Sequence, residues 1–324
     1  MTHPPLTRRE FLFWSGALGA SAALPLGWMA EEPVRLGFVG LGGRGLQALS
    51  VCQQLPAAKV VALCDRKTEA LRSAVAGPGA LAGLATREAR RLFDEPAVDA
   101  VILAASEKAQ LDLASEAVAA GKDVFLLRPL PFDPSAWKDI ASEGARRQRQ
   151  IQMARKTGFA LEPGAAGGLL SKDGALAGAE VEARFQSPER PDARALVGDL
   201  LDEIDFAQAV LGGRVKRVVQ VGGPGILPGR WIDQRMHFEI VDEQGVHRWM
   251  GITLIATRGP GAKASRILVR GDRGAAELAG SPLPPGDPQD LGLFLDAVRS
   301  REAGAGLSLS RSVELTEKLQ EVSS

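Results

Sequence analysis

The sequence predicts an α/β protein in two parts: a doubly wound parallel domain, then a second α/β domain with a large open, mostly antiparallel sheet. Three observations carry this expectation. A buried-strand pattern, VRLGFV at 34–39, runs straight into glycines at 40, 42 and 45 and then into a helix pattern. Strand-like and helix-like runs alternate from there to about residue 157, as parallel βαβ units require. Beyond residue 158 longer strand-like runs dominate, which suits an antiparallel sheet rather than more βαβ units.

The 324 residues suffice for two domains. Hydrophobic residues make up 45% and charged residues 24%, the balance of an ordinary folded protein. With 39 basic and 39 acidic side chains the formal net charge is zero, so nothing recruits a polyanion such as nucleic acid. The densest basic stretch, GARRQRQ at 144–150, reads as a solvated helix face. Cys52 and Cys64 form no C-x-x-C pair and read as small buried hydrophobes; no metal site is expected. There is no tyrosine, and the three histidines are His3, His237 and His247. Acid–base chemistry must therefore lean on carboxylates, lysine or the neighbours of arginine.

Residues 1–30 read as an export signal. TRREFLF at 7–13 places Arg8 and Arg9 ahead of an uncharged run that reaches Ala30, the twin-arginine pattern. Ala20, Ser21 and Ala22 offer a small-x-small cleavage site. The expected location is the periplasm or cell envelope, with membrane contact only if the segment is retained.

Residues 33–157 read as a Rossmann dinucleotide-binding domain. Gly40, Gly42 and Gly45 fit G-x-G-x-x-G between a strand and a helix. Gly40 permits the tight turn, Gly42 leaves no side chain between backbone and pyrophosphate, and Gly45 lets the helix pack on its strand. Gly43 and Arg44 fall at the helix start, where free N–H groups face phosphates. The helix is expected over 45–54 and the second strand over 59–64, closing on Asp65. That acid lies twenty residues after Gly45, where a carboxylate meets the adenosine ribose hydroxyls. Asp65 favours NAD; Arg66, the next residue, leaves NADP open. Strands at 98–104 and 122–127, helices at 107–120 and 135–147, and a short strand at 150–154 complete the domain. Ligands bind at the carboxyl ends of such strands, so 105–108 (Ala105 to Lys108) and 127–129 (Leu127, Arg128, Pro129) are expected to line the site.

Residues 158–324 read as the second domain. Strand-like runs fall at 179–185, 215–221, 235–242, 247–257 and 265–270, helices at 288–300 and 311–322, and a linker at 281–287. Between the first two strands lies a helix, 199–211, with Asp199, Asp202, Glu203 and Asp205 in its first turns. These acids complement a helix dipole; equally, Asp202 and Asp205 share a face and can act as a carboxylate pair. His237 and Glu239 are also on one strand face, but two groups do not make a zinc site.

In these blocks the chain resembles the Gfo/Idh/MocA oxidoreductases. The matching segments are VRLGFVGLGGRG at 34–45, VVALCD at 60–65, VDAVILA at 98–104, AVAAGKDVFLLRPL at 117–130 and DLLDEIDFAQAVLG at 199–212. GALAGAEVEARF at 174–185 and FLDAVRS at 294–300 match more weakly. The resemblance implies NAD or NADP, a sugar, cyclitol or related polyol as substrate, and homo-oligomers built through the C-terminal sheet. It also exposes departures. The family's E-K-P motif stands here as Leu127, Arg128 and Pro129, so Arg128 replaces the lysine that assists proton transfer. Arginine stays protonated and cannot serve as a base. The family histidine falls on Asp202, three residues before Asp205. Three outcomes follow: Lys108 replaces the lysine; Asp202 is the base while Arg128 steadies an alkoxide; or chemistry is lost and nucleotide binding kept. An NAD-dependent glycosidase is the remaining alternative.

Overall fold

The computed structural model describes residues 32–75, 83–127, 134–155, 157–161, 178–187, 203–204, 208, 213–221, 230–242, 245–258, 264–270, 274–282, 286–301 and 307–323. The expected export signal lies outside the described residues. Among the described residues, no helix is long and apolar enough to cross a membrane.

The first unit begins with alternating strands and helices: β1 (Val34–Val39), α1 (Gly43–Cys52), β2 (Ala58–Cys64), α2 (Thr68–Val75), β3 (Leu84–Thr86), α3 (Ala89–Phe93), β4 (Ala100–Leu103), α4 (Glu107–Ala119), β5 (Asp123–Leu126), α5 (Pro134–Arg146) and β6 (Ile151–Met153). The strands are all parallel, in the order β3-β2-β1-β4-β5-β6. This is the doubly wound order, which reverses between β1 and β4. Strands β4 (AVIL) and β5 (DVFL) are buried at every position, because helices cover both faces. Alternate residues feed two cores. Val101, Leu103, Val124 and Leu126 pack with Val118, Trp137 and Ile140 of α4 and α5. Leu36, Phe38, Ile102 and Phe125 pack with Leu49 of α1 on the other side.

The second unit holds a seven-stranded sheet of β7 (Thr157–Leu161), β8 (Gly178–Ser187), β9 (Gly213–Val221), β10 (Arg230–Asp242), β11 (His247–Arg258), β12 (Ala264–Arg270) and β13 (Ala275–Pro282). Its order is β7-β13-β12-β8-β11-β10-β9, antiparallel throughout except for the parallel pair β8/β11. The open, largely antiparallel sheet read from the sequence is therefore present. One face is apolar, with Ala179, Val181, Phe238, Ile240, Met250, Ile252, Ile267, Val269 and Leu278 buried. The other carries Glu180, Arg266, Arg270, Glu277, His237 and Trp249, all exposed.

After β13 the chain returns to the first unit with α6 (Pro288–Ser300) and β14 (Leu307–Ser308), which adds antiparallel to the outer side of β6. It ends in α7 (Leu309–Ser323). The compact units are accordingly interleaved: Leu283–Glu314 belongs with Ala23–Lys156, while Leu315–Ser324 joins Thr157–Pro282. A single division at 157/158 does not express this return. Its physical reason is the second core of the parallel sheet: Leu291, Phe294, Leu295 and Val298 of α6 bury against β1, β4 and β5. The Phe125 and Phe294 ring centroids are 5.3 Å apart. Burying each such side chain stabilises the fold by about 1.5–3 kcal/mol.

Four strands escaped the pattern: β3, β7, β13 and β14. β13 (AAELAGSP) lacks β-branched residues, yet it pairs with β12 and β7 and extends into the stretch expected as a linker from 281. β3 (LAT) has only three residues and is fixed by its pairing with β2.

Candidate dinucleotide site

The site is built at the carboxyl end of β1, where the strand order reverses. Gly40 takes φ +95°, a left-handed conformation that side chains resist, and its amide donates to the Cys64 carbonyl at 2.8 Å. A Cβ on Gly40 would stand 2.8 Å from the Ala104 carbonyl oxygen; one on Gly45 would stand 2.0 Å from the Gly40 carbonyl oxygen and 3.2 Å from the Ala104 Cβ. These two glycines are thus demanded by the protein itself, which wedges the turn between β1 and β4.

Gly42 and Gly43 differ. Gly42 is the N-cap of α1 with φ −71° and ψ −179°, a conformation open to any residue. Nothing lies within 4 Å of a Cβ built on either. No packing contact accounts for a missing side chain here, whereas a ligand lying across the backbone does. The cap has no side-chain hydrogen bond, so the first-turn N–H groups of α1 are left to an outside acceptor. Arg44 is exposed in that turn. The residues present fit a bound pyrophosphate.

Asp65 closes β2 as expected, but its carboxylate already has partners. Oδ2 accepts from the Leu41 amide at 2.7 Å and Oδ1 from the Lys67 amide at 2.8 Å. The acid therefore ties the glycine turn to the β2–α2 turn, a role the sequence reading missed because the donors are backbone groups. Arg66 and Lys67 follow, both exposed. Arg87, just past β3, donates from Nε to the Arg66 carbonyl at 3.2 Å. It too was missed, since the strand that positions it is too short to read.

Ala105 is half-buried between β4 and Ser106, the N-cap of α4. Gln110, fully buried, donates from Nε2 to the Leu103 carbonyl at 3.2 Å and fixes that strand end. Lys108 lies in the first turn of α4, and its side chain is outside the described residues, as are Arg128, Pro129, Asp202 and Asp205. Between those two aspartates Glu203 and Ile204 are helical and fully buried, and Gln208 accepts from the Val215 amide at 2.8 Å. The structure thus brings together Gly40, Gly42, Gly43, Arg44, Gly45, Asp65, Arg66 and Ala105. His237 and Glu239 share the polar sheet face, where His237 is exposed and Glu239 accepts from His247 Nδ1 at 2.7 Å. Among the described residues no group of three or more His, Cys, Asp or Glu can hold a metal. Both cysteines are free and buried; burial pushes the Cys52 thiol up to about 12, and burial with Asp65 and Glu88 nearby pushes Cys64 up to about 11.

Fold and site together define a two-domain α/β protein of the dinucleotide-binding class. Residues 34–155 match the model of the Gfo/Idh/MocA family, described as an oxidoreductase family with a NAD-binding Rossmann fold. A "Glycosyl hydrolase family 109 protein" of Stenotrophomonas maltophilia is 34% identical over 127 residues, 36% of this chain and 28% of its own length. An "Inositol 2-dehydrogenase" of Klebsiella pneumoniae is 31% identical over 121 residues, 37% of this chain and 33% of its own length. The chain thus aligns with about a third or less of each of these curated relatives. Among solved structures, GenD2 from gentamicin A biosynthesis, in complex with NAD, superimposes with a TM-score of 0.62 at 17% identity, covering 92% of this chain and 95% of that one. The myo-inositol dehydrogenase of Lactobacillus casei, in complex with NAD(H) and myo-inositol, gives 0.61 at 16%, covering 90% and 95%. At these identities the likeness is one of fold, and it extends over both domains.

Proposed function

We propose that the protein is an NAD(P)-dependent oxidoreductase acting on a sugar, cyclitol or related polyol. The observation that carries the reading is the open space at Gly42 and Gly43, bounded by a glycine turn whose other glycines the fold itself requires. Bound there, the cofactor would supply hydride acceptance or donation. The chain's own part is to hold the pyrophosphate on the α1 amides and the ribose beside Asp65. The chemistry at the reacting hydroxyl falls to Arg128, Asp202, Asp205 and Lys108: Asp202 or Lys108 takes the proton and Arg128, always charged, steadies the oxygen that loses it. The dehydrogenases named above support the substrate class.

Adding NAD or NADP with a panel of sugars, cyclitols and polyols, and following nicotinamide absorbance, tests this reading. Turnover with at least one member is expected; nucleotide binding without any turnover favours a non-catalytic nucleotide- or sugar-binding protein. The identity to a glycosyl hydrolase family 109 protein favours, as a second reading, an NAD-dependent glycosidase. Release of a chromogenic leaving group without net NADH would select it. The remaining parts of the proposal are export by the twin-arginine route to the periplasm or envelope, and homo-oligomers formed through the second sheet. Its polar face mixes Glu180, Glu182, Arg266 and Arg270 around exposed Trp249, which suits contact with a second copy.

A further inference from the structure

We infer that the polar face of the second sheet carries a binding site for a small, neutral, polyhydroxylated ring, seated over Gly251; the inference stands apart from the dinucleotide reading above. The strand pairings lay rows of residues across this face. The middle row runs His237, Gly251, Glu180, Leu268 and Glu277, from β10 through β11, β8 and β12 to β13. On one side of it Thr253, Glu182 and Arg266 stand in line; on the other, Trp249, Gly178 and Arg270 do. The hollow over Gly251 measures about 350 Å³, at the lower end of the sizes of small-ligand sites. Glycine weakens a strand interior, and it ordinarily marks a bulge, a bend or the close approach of something from outside the sheet. The pairings of β11 with β10 and β8 run through Gly251 without a shift, so there is no bulge. Its φ lies outside the left-handed region, and a Cβ would meet Glu180 Cγ and His237 Cδ2 at 3.9 Å, an ordinary contact. Gly178 differs, because a Cβ there would stand 2.7 Å from the Trp249 carbonyl oxygen. The fold thus demands Gly178 and does not demand Gly251.

The walls set the chemistry of the ligand. Glu180 pairs with Arg270 at 3.2 Å, and Arg266 is shared by Glu182 at 3.3 Å and Glu277 at 3.4 Å. Each of these carboxylates already faces a guanidinium, so the hollow draws neither an anion nor a cation strongly. What it offers is hydrogen-bonding capacity. Carboxylate oxygens accept, guanidinium groups donate, and the Thr253 hydroxyl and the neutral His237 ring do both. His237 is exposed, and among the described residues it enters no hydrogen bond or ion pair. Hydroxyl groups, which donate and accept at once, match this set. One row away, exposed Trp249 adds an apolar surface for the C–H side of a ring.

The test titrates myo-inositol and D-glucose into nucleotide-free protein with labelled leucine methyl groups. It follows the Leu268 resonances by NMR, because Leu268 lines the hollow. They should shift with a dissociation constant on the order of 1 mM, as an open site with few contacts allows. Gly251→Val should fold, since a strand favours a β-branched residue and the new Cβ finds ordinary contacts. By filling the hollow it should weaken binding about tenfold or more. His237→Ala, a change at an exposed side chain, should weaken binding about threefold or more with unchanged circular dichroism, and it decides the matter if Gly251→Val does not fold. No Leu268 shift up to about 100 mM of either polyol overturns the inference, as does a folded Gly251→Val protein that binds like the wild type. Glucosamine binding more than about tenfold tighter than glucose also overturns it, in favour of a cation. A second copy of the chain is the rival occupant. Leu268 shifts that appear on concentrating the protein alone, and vanish in Gly251→Val, would give the hollow to self-association and overturn the small-ligand site. NADH binding, measured separately, bears on none of these outcomes.

Discussion

At Gly42 the backbone is extended and nothing stands within 4 Å of a Cβ, whereas a Cβ at Gly45 would sit 2.0 Å from the Gly40 carbonyl oxygen. The two positions should therefore fail in opposite ways. Gly42→Asp is expected to fold, even with a slightly better α1 cap, because aspartate outranks glycine at an N-cap by a few tenths of a kcal/mol. It should lose NADH binding by more than about a hundredfold, since the carboxylate fills the open space and repels the phosphates. Circular dichroism with an NADH titration checks both halves; a folded variant binding normally would remove the phosphate from this loop. Gly45→Ala should instead lower the urea midpoint before any ligand is added. The cysteines supply a third prediction. With thiols pushed up to about 12 and 11 by burial, Cys52 and Cys64 stay protonated well above neutrality. Native protein at about pH 8.5, where an ordinary cysteine is half thiolate, should resist iodoacetamide, and urea should expose both sites. Mass spectrometry counts the adducts. At this scale the glycine spacing and Asp65 were legible because their motif is local. Arg87 was not, because only the pairing of β2 with β3 brings it to the turn.

Among the elements, α6 shows what periodicity can and cannot say. Its bounds at 288–300 were readable from the spacing of Leu291, Phe294, Leu295 and Val298, with Pro288 in the first turn and Asp287 ahead of it. Asp287 accepts from the Gln289 and Asp290 amides at 3.0 and 3.3 Å, which sets the helix start. The pattern announces a buried face but not its partner, so the helix was assigned to the nearer domain in sequence. The structure also pins this helix to the end of β6. Asp290, 3% exposed, accepts from the Arg155 amide at 2.8 Å and from Arg155 Nε at 2.5 Å. Replacing the pair with apolar residues need not destabilise, but leaving one charge buried does. Asp290→Ala is therefore expected to cost about 3–5 kcal/mol in urea unfolding. The Arg155→Met, Asp290→Leu double variant should cost less than the two single changes summed. Additive losses would mean that the two side chains act separately.

On the scale of the whole molecule, the alternation of elements made the parallel domain legible, and the long strand runs made the open sheet legible. The interleaving was not, because nothing local records that residues beyond 282 close a core begun at residue 34. That closure makes a prediction about autonomy. A chain of residues 32–157 contains the full glycine turn and Asp65, yet it lacks α6. Leu36, Phe38, Ile102 and Phe125 would lose Leu291, Phe294, Leu295 and Val298 as neighbours, four side chains that contribute about 1.5–3 kcal/mol each. Domains of this size hold only about 5–15 kcal/mol in total, so the loss is comparable with their whole stability. The short chain should bind ANS, unfold without a cooperative transition and bind NADH weakly or not at all. Joining residues 283–314 to it through a flexible Gly/Ser linker should restore cooperative unfolding and NADH affinity together, because the missing face is then intramolecular. A 32–157 chain that is monomeric, unfolds cooperatively and binds NADH like the full protein would show that α6 only decorates the sheet. Recovery of both properties on adding 283–314 would show that the nucleotide domain is completed by a segment the chain supplies only after building the second sheet.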